Sequence, residues 1–219
     1  MTVTKAIVSA ALLCVTAACT QSTGSAISVS DVSQISFIGD PKLVVHSDIQ
    51  LTPEVKEAFE EFRVEPGAFG AMYVRPNGAG WGWHSGMLTH EEAKQLAKTG
   101  CDVTTGRKCV LYAALEPITP APKGALLQSM ERAIVEAKRE ISPEDYIVVS
   151  ATPAANWNVS WGYSDLSEAK AISLQRCKME VDKFRQERAK NEVKARVDAN
   201  FEKAGYFNCR IVGIYRKQN

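Results

Sequence analysis

His84 and Ser85, with His90 nearby, place a base and a hydroxyl close together in the chain. A hydrolase with a serine nucleophile needs the hydroxyl within hydrogen-bond reach of the histidine, and a carboxylate that orients the imidazole. Adjacent residues of a β-strand point to opposite faces, so His84 and Ser85 are not expected to face each other. We therefore predict an exposed histidine and a serine at a strand end, with no catalytic residue. An envelope hydrolase centred on this pair is the alternative.

The glycine-rich run at residues 78–82 invites comparison with phosphate-binding loops. Those loops follow a strand and open directly into a helix, so that backbone amides converge on the phosphate. Here the glycines fall in a predicted turn and in the strand after it, which indicates turn geometry and no bound cofactor. The carboxylates of Glu91, Glu92 and Glu168 lie in the first turns of predicted helices, where the helix dipole favours a negative charge.

Six cysteines are present, and their fates differ. Cys14 lies in a segment that we expect to be removed, and Cys19 is the predicted site of lipid attachment. The remaining four form an even set. None belongs to a C-x2-C pair and no histidine lies at ligand spacing, so disulfides are favoured over the alternative of a zinc site. We predict two disulfides and no metal site among Cys101, Cys109, Cys177 and Cys209.

The N-terminus has the charge pattern of a secretory signal. Lys5 is followed by an uncharged run at residues 6–18, which is too short for a permanent span of a bilayer. The run ends in Thr16-Ala17-Ala18-Cys19, which resembles the lipobox of bacterial lipoprotein precursors, although leucine is usual where Thr16 stands. The resemblance implies cleavage before Cys19, acylation of Cys19, and an outer membrane facing the periplasm. Ordinary secretory cleavage that leaves Cys19 as a free thiol is the alternative.

The charge balance of the chain argues against a nucleic-acid partner. With 26 Lys and Arg against 25 Asp and Glu, the chain lacks the basic field that nucleic-acid binding requires. Residues 19–50 are predicted to be the lipidated cysteine and a tether, because the polar first part cannot bury enough apolar surface to offset its ordering entropy. The stretch 35–49 is more apolar, and we expect either an edge strand or a segment that lies along the domain surface.

The rest of the chain indicates one order of elements repeated. Residues 51–116 predict helix, strand, strand, helix and strand, with Thr52 as cap of the first helix, Thr89 as cap of the second and Gly100 as its end. A proline-rich linker follows at 117–123. Residues 124–219 then predict the same order. We expect an α+β fold of two tandem αββαβ units, with antiparallel sheets covered by helices.

Local matches support the repeat. Glu92-Ala93-Lys94 precedes Cys101 by the same spacing at which Glu168-Ala169-Lys170 precedes Cys177. In each unit a second cysteine, Cys109 or Cys209, opens an apolar strand. This order predicts the bonds Cys101–Cys109 and Cys177–Cys209, each joining helix to sheet within one unit; crossed pairings are the less economical alternative.

These motifs together resemble a family of small exported bacterial domains of unknown function. The shared pattern is an alanine-rich strand, a strand with glycine and an aromatic residue before Ser, Glu-Ala on a helix with a cysteine at its end, and a cysteine that opens the last strand. It covers residues 67–115 and, more loosely, 147–215. The resemblance implies the fold and an exported location, and implies no activity.

Two further features remain. The charged run 178–203 departs from the family pattern. It predicts a helical extension with a break that lies on the domain, and an arm that binds a partner is the alternative.

The second feature is a set of aromatic residues that we expect in the core, with a shared patch for a glycan or protein partner as the alternative. Its members are Trp81, Trp83, Trp157, Trp161 and Tyr163.

From these features we expect an envelope lipoprotein with a non-catalytic binding or accessory role, attached to the membrane through its lipid. An inhibitor of a wall-degrading or host enzyme is a second alternative beside the hydrolase.

Overall fold

The computed structural model describes residues 27–217. The predicted signal peptide (1–18) and Cys19 lie outside the described residues.

Within each unit the elements follow the predicted order of helix, strand, strand, helix and strand, and a further helix precedes the last strand of the second unit. The N-terminal segment and first unit contain β1 (Ser30–Asp31), β2 (Pro41–Val45), α1 (Pro53–Arg63), β3 (Gly70–Val74), β4 (Trp81–His84), α2 (His90–Thr105) and β5 (Val110–Pro117). The second unit contains α3 (Glu131–Glu140), β6 (Tyr146–Ala151), β7 (Trp157–Tyr163), α4 (Leu166–Arg188), α5 (Glu192–Lys203) and β8 (Arg210–Arg216). The fold is α+β.

The strands form two sheets of four, with the orders β2-β5-β3-β4 and β1-β8-β6-β7. All pairs are antiparallel except β1 with β8. Within each unit the last strand pairs with the first of the hairpin, so β5-β3-β4 and β8-β6-β7 have the same arrangement. The common origin of the two units stays a prediction.

Helices cover both faces of each sheet. In the first sheet, α1 packs on one face through a core that contains Phe62, Met72 and Leu115, whereas α2 packs on the other face through Leu96 and its neighbours. In the second sheet α3 and α4 take the corresponding positions. Each unit therefore buries apolar residues on both sides of its sheet, as a layered architecture requires.

The N-terminal segment belongs to the folded body over residues 27–50. β1 extends the second sheet and β2 extends the first. Between them Ile38 is 4% exposed and its N–H donates to the carbonyl of Leu126 at 2.8 Å. The sequence predicted a tether here because the composition is polar. Backbone hydrogen bonds can hold a polar segment in a sheet, and composition does not reveal them. Residues 19–26 of the predicted tether lie outside the described range.

Helix α2 continues past Gly100, where the sequence predicted its end. The helix ends at Thr105, and Gly106 caps it with φ of 64°. Glycine is favoured in this left-handed conformation, so Gly106 is the stop signal, whereas Gly100 is a buried position within the helix.

The charged run after Cys177 forms a helical hairpin, with the predicted break at residues 189–191. Two ion pairs join its arms: Arg185 with Glu202 at 2.6 Å, and Arg188 with Asp198 at 2.8 Å. The apolar side of α5 packs on α2 of the first unit through Phe201 and its neighbours. The hairpin thereby connects the second unit to the first.

Candidate functional site

A cleft with a volume of about 380 Å³ lies where the two units and the N-terminal segment meet. Its apolar lining comes from distant parts of the chain: Ile38 from the N-terminal segment, Phe69 and Leu88 from the first unit, and Leu126 and Val212 from the second. Its polar side chains are Thr89, His90 and Arg210. A concave, mainly apolar cavity with a few polar groups is the usual form of a small-molecule site.

The start of α2 places the polar residues. Thr89 has an extended backbone, and its hydroxyl accepts a hydrogen bond from the N–H of Glu92 at 3.2 Å. This is the cap that the sequence predicts, and it fixes His90 as the first residue of the helix. The N-terminal end of a sixteen-residue helix, with its partial positive charge, therefore lies beside the cleft.

Arg210 crosses from the second unit to the first. It follows Cys209 at the start of β8, and its Nη2 forms an ion pair with Oε1 of Glu92. The Glu92 side chain is 13% exposed and the Arg210 side chain is 51% exposed. The carboxylate is thus largely enclosed while the guanidinium faces solvent. The other carboxylate oxygen of Glu92 is buried and has no hydrogen-bond partner among the described residues.

His90 is held between an aromatic ring and a carboxylate. Its ring stacks on Phe69 with the ring centroids 6.4 Å apart, and its Nδ1 lies 4.0 Å from Oε1 of Glu116. Burial lowers the pKa of His90, and the charge of Lys94 lowers it further, against the opposing effect of Glu116. The imidazole is therefore neutral at pH 7. Its Nε2 is buried and forms no hydrogen bond with the described residues.

Phe69 has an unusual backbone conformation. Its φ is 55°, in the left-handed region that residues other than glycine seldom adopt. The carbonyl of Phe69 accepts a hydrogen bond from the N–H of Met87 at 3.3 Å, which closes the hairpin base beside the cleft. Strained residues of this kind concentrate at ligand sites, where surrounding packing maintains them.

The His84 and Ser85 side chains do not form a catalytic pair. His84 is partly buried rather than exposed as predicted, because α5 covers it: its ring lies 5.5 Å from that of Phe201. Ser85 donates a hydrogen bond to Oε2 of Glu65 at 3.1 Å. Within residues 27–217, the His84 imidazole has no hydrogen-bonded carboxylate.

Both disulfides that the sequence predicts are formed. Cys101, within α2, is bonded to Cys109, and Cys177, within α4, is bonded to Cys209; the Cα atoms are 6.1 Å apart in each pair. Each bond joins a helix to the segment before the last strand of its own unit. In the part of the chain that the structure describes, no group of His, Cys, Asp or Glu side chains is arranged to hold a metal ion.

The aromatic residues that the sequence singled out belong to two different sheets. Trp81 is 37% exposed, whereas Trp83 packs on the core beneath α1, with its ring 5.9 Å from Phe62. On β7, Trp157 and Trp161 pack against the core beneath α3, and Tyr163 packs against the core beneath α4. Among described rings, no contact joins the residues of β4 to those of β7.

The cleft is the site that the sequence did not reveal. His90 and Glu92 were visible as the start of a helix, and Arg210 as the neighbour of a cysteine, but no local pattern connects positions so far apart. The available signals were a histidine at the first position of a helix and an arginine next to a disulfide.

No family model, curated protein or solved structure matches this chain. Of the helices within residues 27–217, none has both the length and the apolar character needed to cross a membrane.

Proposed function

We propose that this chain is an exported lipoprotein of the bacterial envelope, anchored through Cys19, whose folded body binds another molecule without transforming it. The sequence supports export through the charged and apolar N-terminus and the lipobox-like residues before Cys19. The two disulfides are consistent with an oxidising compartment. The observation that carries the binding function is the cleft between the units.

The polar groups of the cleft support binding rather than catalysis. Arg210 is engaged by Glu92, and the Thr89 hydroxyl accepts the capping hydrogen bond of α2. At 4.0 Å, His90 and Glu116 are farther apart than a hydrogen bond allows. A hydrolase would need a base, an orienting carboxylate and a nucleophile within hydrogen-bond reach of one another.

The mass of the intact protein, purified from its native membranes, tests export and anchoring. We expect loss of residues 1–18, an added acyl mass on Cys19, and a mass increase on reduction of one hydrogen for each of the four disulfide cysteines. Retention of residues 1–18, or free thiols at all four positions, would contradict the proposal.

Binding of benzene, followed by NMR, tests the cleft, since apolar cavities accept this ligand. The experiment uses the exported chain with Cys19→Ser, which cannot be acylated. We expect benzene to shift the signals of Phe69, Leu126 and Val212, which line the cleft. Ala125→Trp should fill the cleft and abolish these shifts, whereas Ala199→Trp, at an exposed position of α5, should preserve them.

Shifts spread over the whole surface, or the same shifts in Ala125→Trp, would show that the cleft is not a binding site. Turnover of peptidoglycan or another envelope polymer by the same protein would favour the hydrolase alternative. Inhibition of a wall-degrading enzyme at stoichiometric concentration would favour the inhibitor alternative.

A further inference from the structure

The charge and polarity of the cleft lining narrow the class of ligand. We infer that the cleft binds an amphipathic molecule with an apolar tail and a single anionic head group, for which a medium-chain carboxylate is the simplest probe. This inference rests on the proposed binding function, since it names what that site accepts.

The lining fits an apolar tail. The side chains of Ile38, Leu126 and Val212 converge from three separate parts of the chain and leave a volume of about 380 Å³ between them. Such a volume is at the small end of the usual range for ligand sites, roughly 300–1,000 Å³. A short tail would remove this apolar surface from water, whereas a large folded partner could not enter.

Arg210 supplies the counter-charge for an anionic head. Among the described residues that line the cleft, it is the one side chain with a full charge at pH 7, because burial lowers the pKa of His90. Its guanidinium hydrogen-bonds one described group, Glu92, through Nη2. Its other N–H donors have no hydrogen bond within residues 27–217, and a planar guanidinium can bind a carboxylate through two parallel hydrogen bonds.

Glu92 positions Arg210. Its side chain is mostly buried, and its Oε1 pairs with Nη2 of the half-exposed guanidinium, which restrains Arg210 beside the cleft. The positive end of α2 lies on the same side, where Glu91 and Glu92 of its first turn offset part of the charge. His90, stacked on Phe69, adds a neutral polar group at the same boundary.

A cationic head is disfavoured by the positions of the carboxylates. The free oxygen of Glu92 is buried, and neither Glu92 nor Glu116 lines the cleft. A cationic ligand would therefore meet Arg210 but no carboxylate in the described lining of the cleft. This asymmetry is what selects the sign of the head group.

Calorimetric titration of the Cys19→Ser chain with decanoate, decanol and decylamine tests the inference at concentrations below micelle formation. We expect decanoate to bind about tenfold more tightly than decanol, which corresponds to charge-assisted hydrogen bonds, and decylamine to bind more weakly than both. Arg210→Gln should remove the advantage of decanoate and leave the affinity for decanol within about twofold.

Two controls separate binding from folding. Arg210→Lys keeps the charge and should retain part of the preference for decanoate, and Arg139→Gln, at an exposed position of α3, should leave all affinities unchanged. Thermal unfolding of each variant shows whether the fold is intact.

The outcomes distinguish the two proposals. If benzene shifts the cleft signals but decanoate and decanol bind equally, the anionic head is refuted and the binding cleft stands. If neither benzene nor any of the ten-carbon ligands binds, both proposals fail. A preference for decanoate that survives in Arg210→Gln would refute the role of Arg210.

Discussion

His84 should make the stability of this protein depend on pH. Burial and, as a smaller effect, the positive charge of Arg188 together lower the pKa of His84 from 6.5 to about 4. The folded protein therefore keeps the imidazole neutral at a pH where the unfolded chain takes up a proton. This contribution to stability is complete above pH 6.5 and is lost as the pH falls towards 4.

The size of the effect follows from the difference between the two pKa values. Each pKa unit of difference corresponds to about 1.4 kcal/mol, so a shift from 6.5 to about 4 sets an upper limit of about 3.5 kcal/mol. Since part of the His84 side chain is still exposed, solvent screening reduces the expected loss to about 2 kcal/mol between pH 7 and pH 4.

Urea denaturation of wild type and His84→Phe at these two pH values measures the contribution. Phenylalanine keeps an aromatic ring against Phe201 of α5 and does not titrate. We expect the wild type to lose about 2 kcal/mol more than the variant on acidification, and His46→Phe, at an exposed position, to behave as wild type. Equal losses in wild type and His84→Phe would refute the reasoning.

Three further predictions concern interactions within the individual units. Gly82→Ala should cost about 2 kcal/mol, measured as a lower Tm, because the new Cβ would lie 2.5 Å from backbone nitrogen of α2. Arg188→Met should cost about 3 kcal/mol in urea denaturation by leaving the buried carboxylate of Asp198 unpaired; adding Asp198→Asn should recover most of it, and no recovery would contradict this account. Replacing both members of the Cys177–Cys209 bridge by alanine should cost about 4 kcal/mol, roughly 1 kcal/mol more than the same change at the other bridge, since the loops span 32 and 8 residues; denaturation of the two double variants compares them.

The order of elements and both disulfides could be predicted because their signals are local. Pro53 after Thr52, and Glu92 three residues after Thr89, mark helix starts wherever they occur. The cysteine spacing then assigns each bond once the elements are known. These inferences need no knowledge of how the two units pack.

The cleft and the environment of His84 could not be predicted, because both depend on contacts between distant parts of the chain. Alternation along β4 correctly separates His84 from Ser85, but it cannot show that α5, more than a hundred residues later, covers His84. In the same way, the sequence around Arg210 does not indicate that its side chain pairs with Glu92.

The pairing of β1 with β8 has a consequence for the folding pathway. β8 is an interior strand of its sheet, with β1 on one side and β6 on the other, and Ser30 lies opposite Tyr215. Strand β1 therefore has no partner to pair with until β8, the last strand, has been synthesised and has joined the sheet. Folding cannot simply proceed from the N-terminus to the C-terminus. Contacts of such high sequence separation form slowly, and truncation at the C-terminus should release the opposite end of the polypeptide as well.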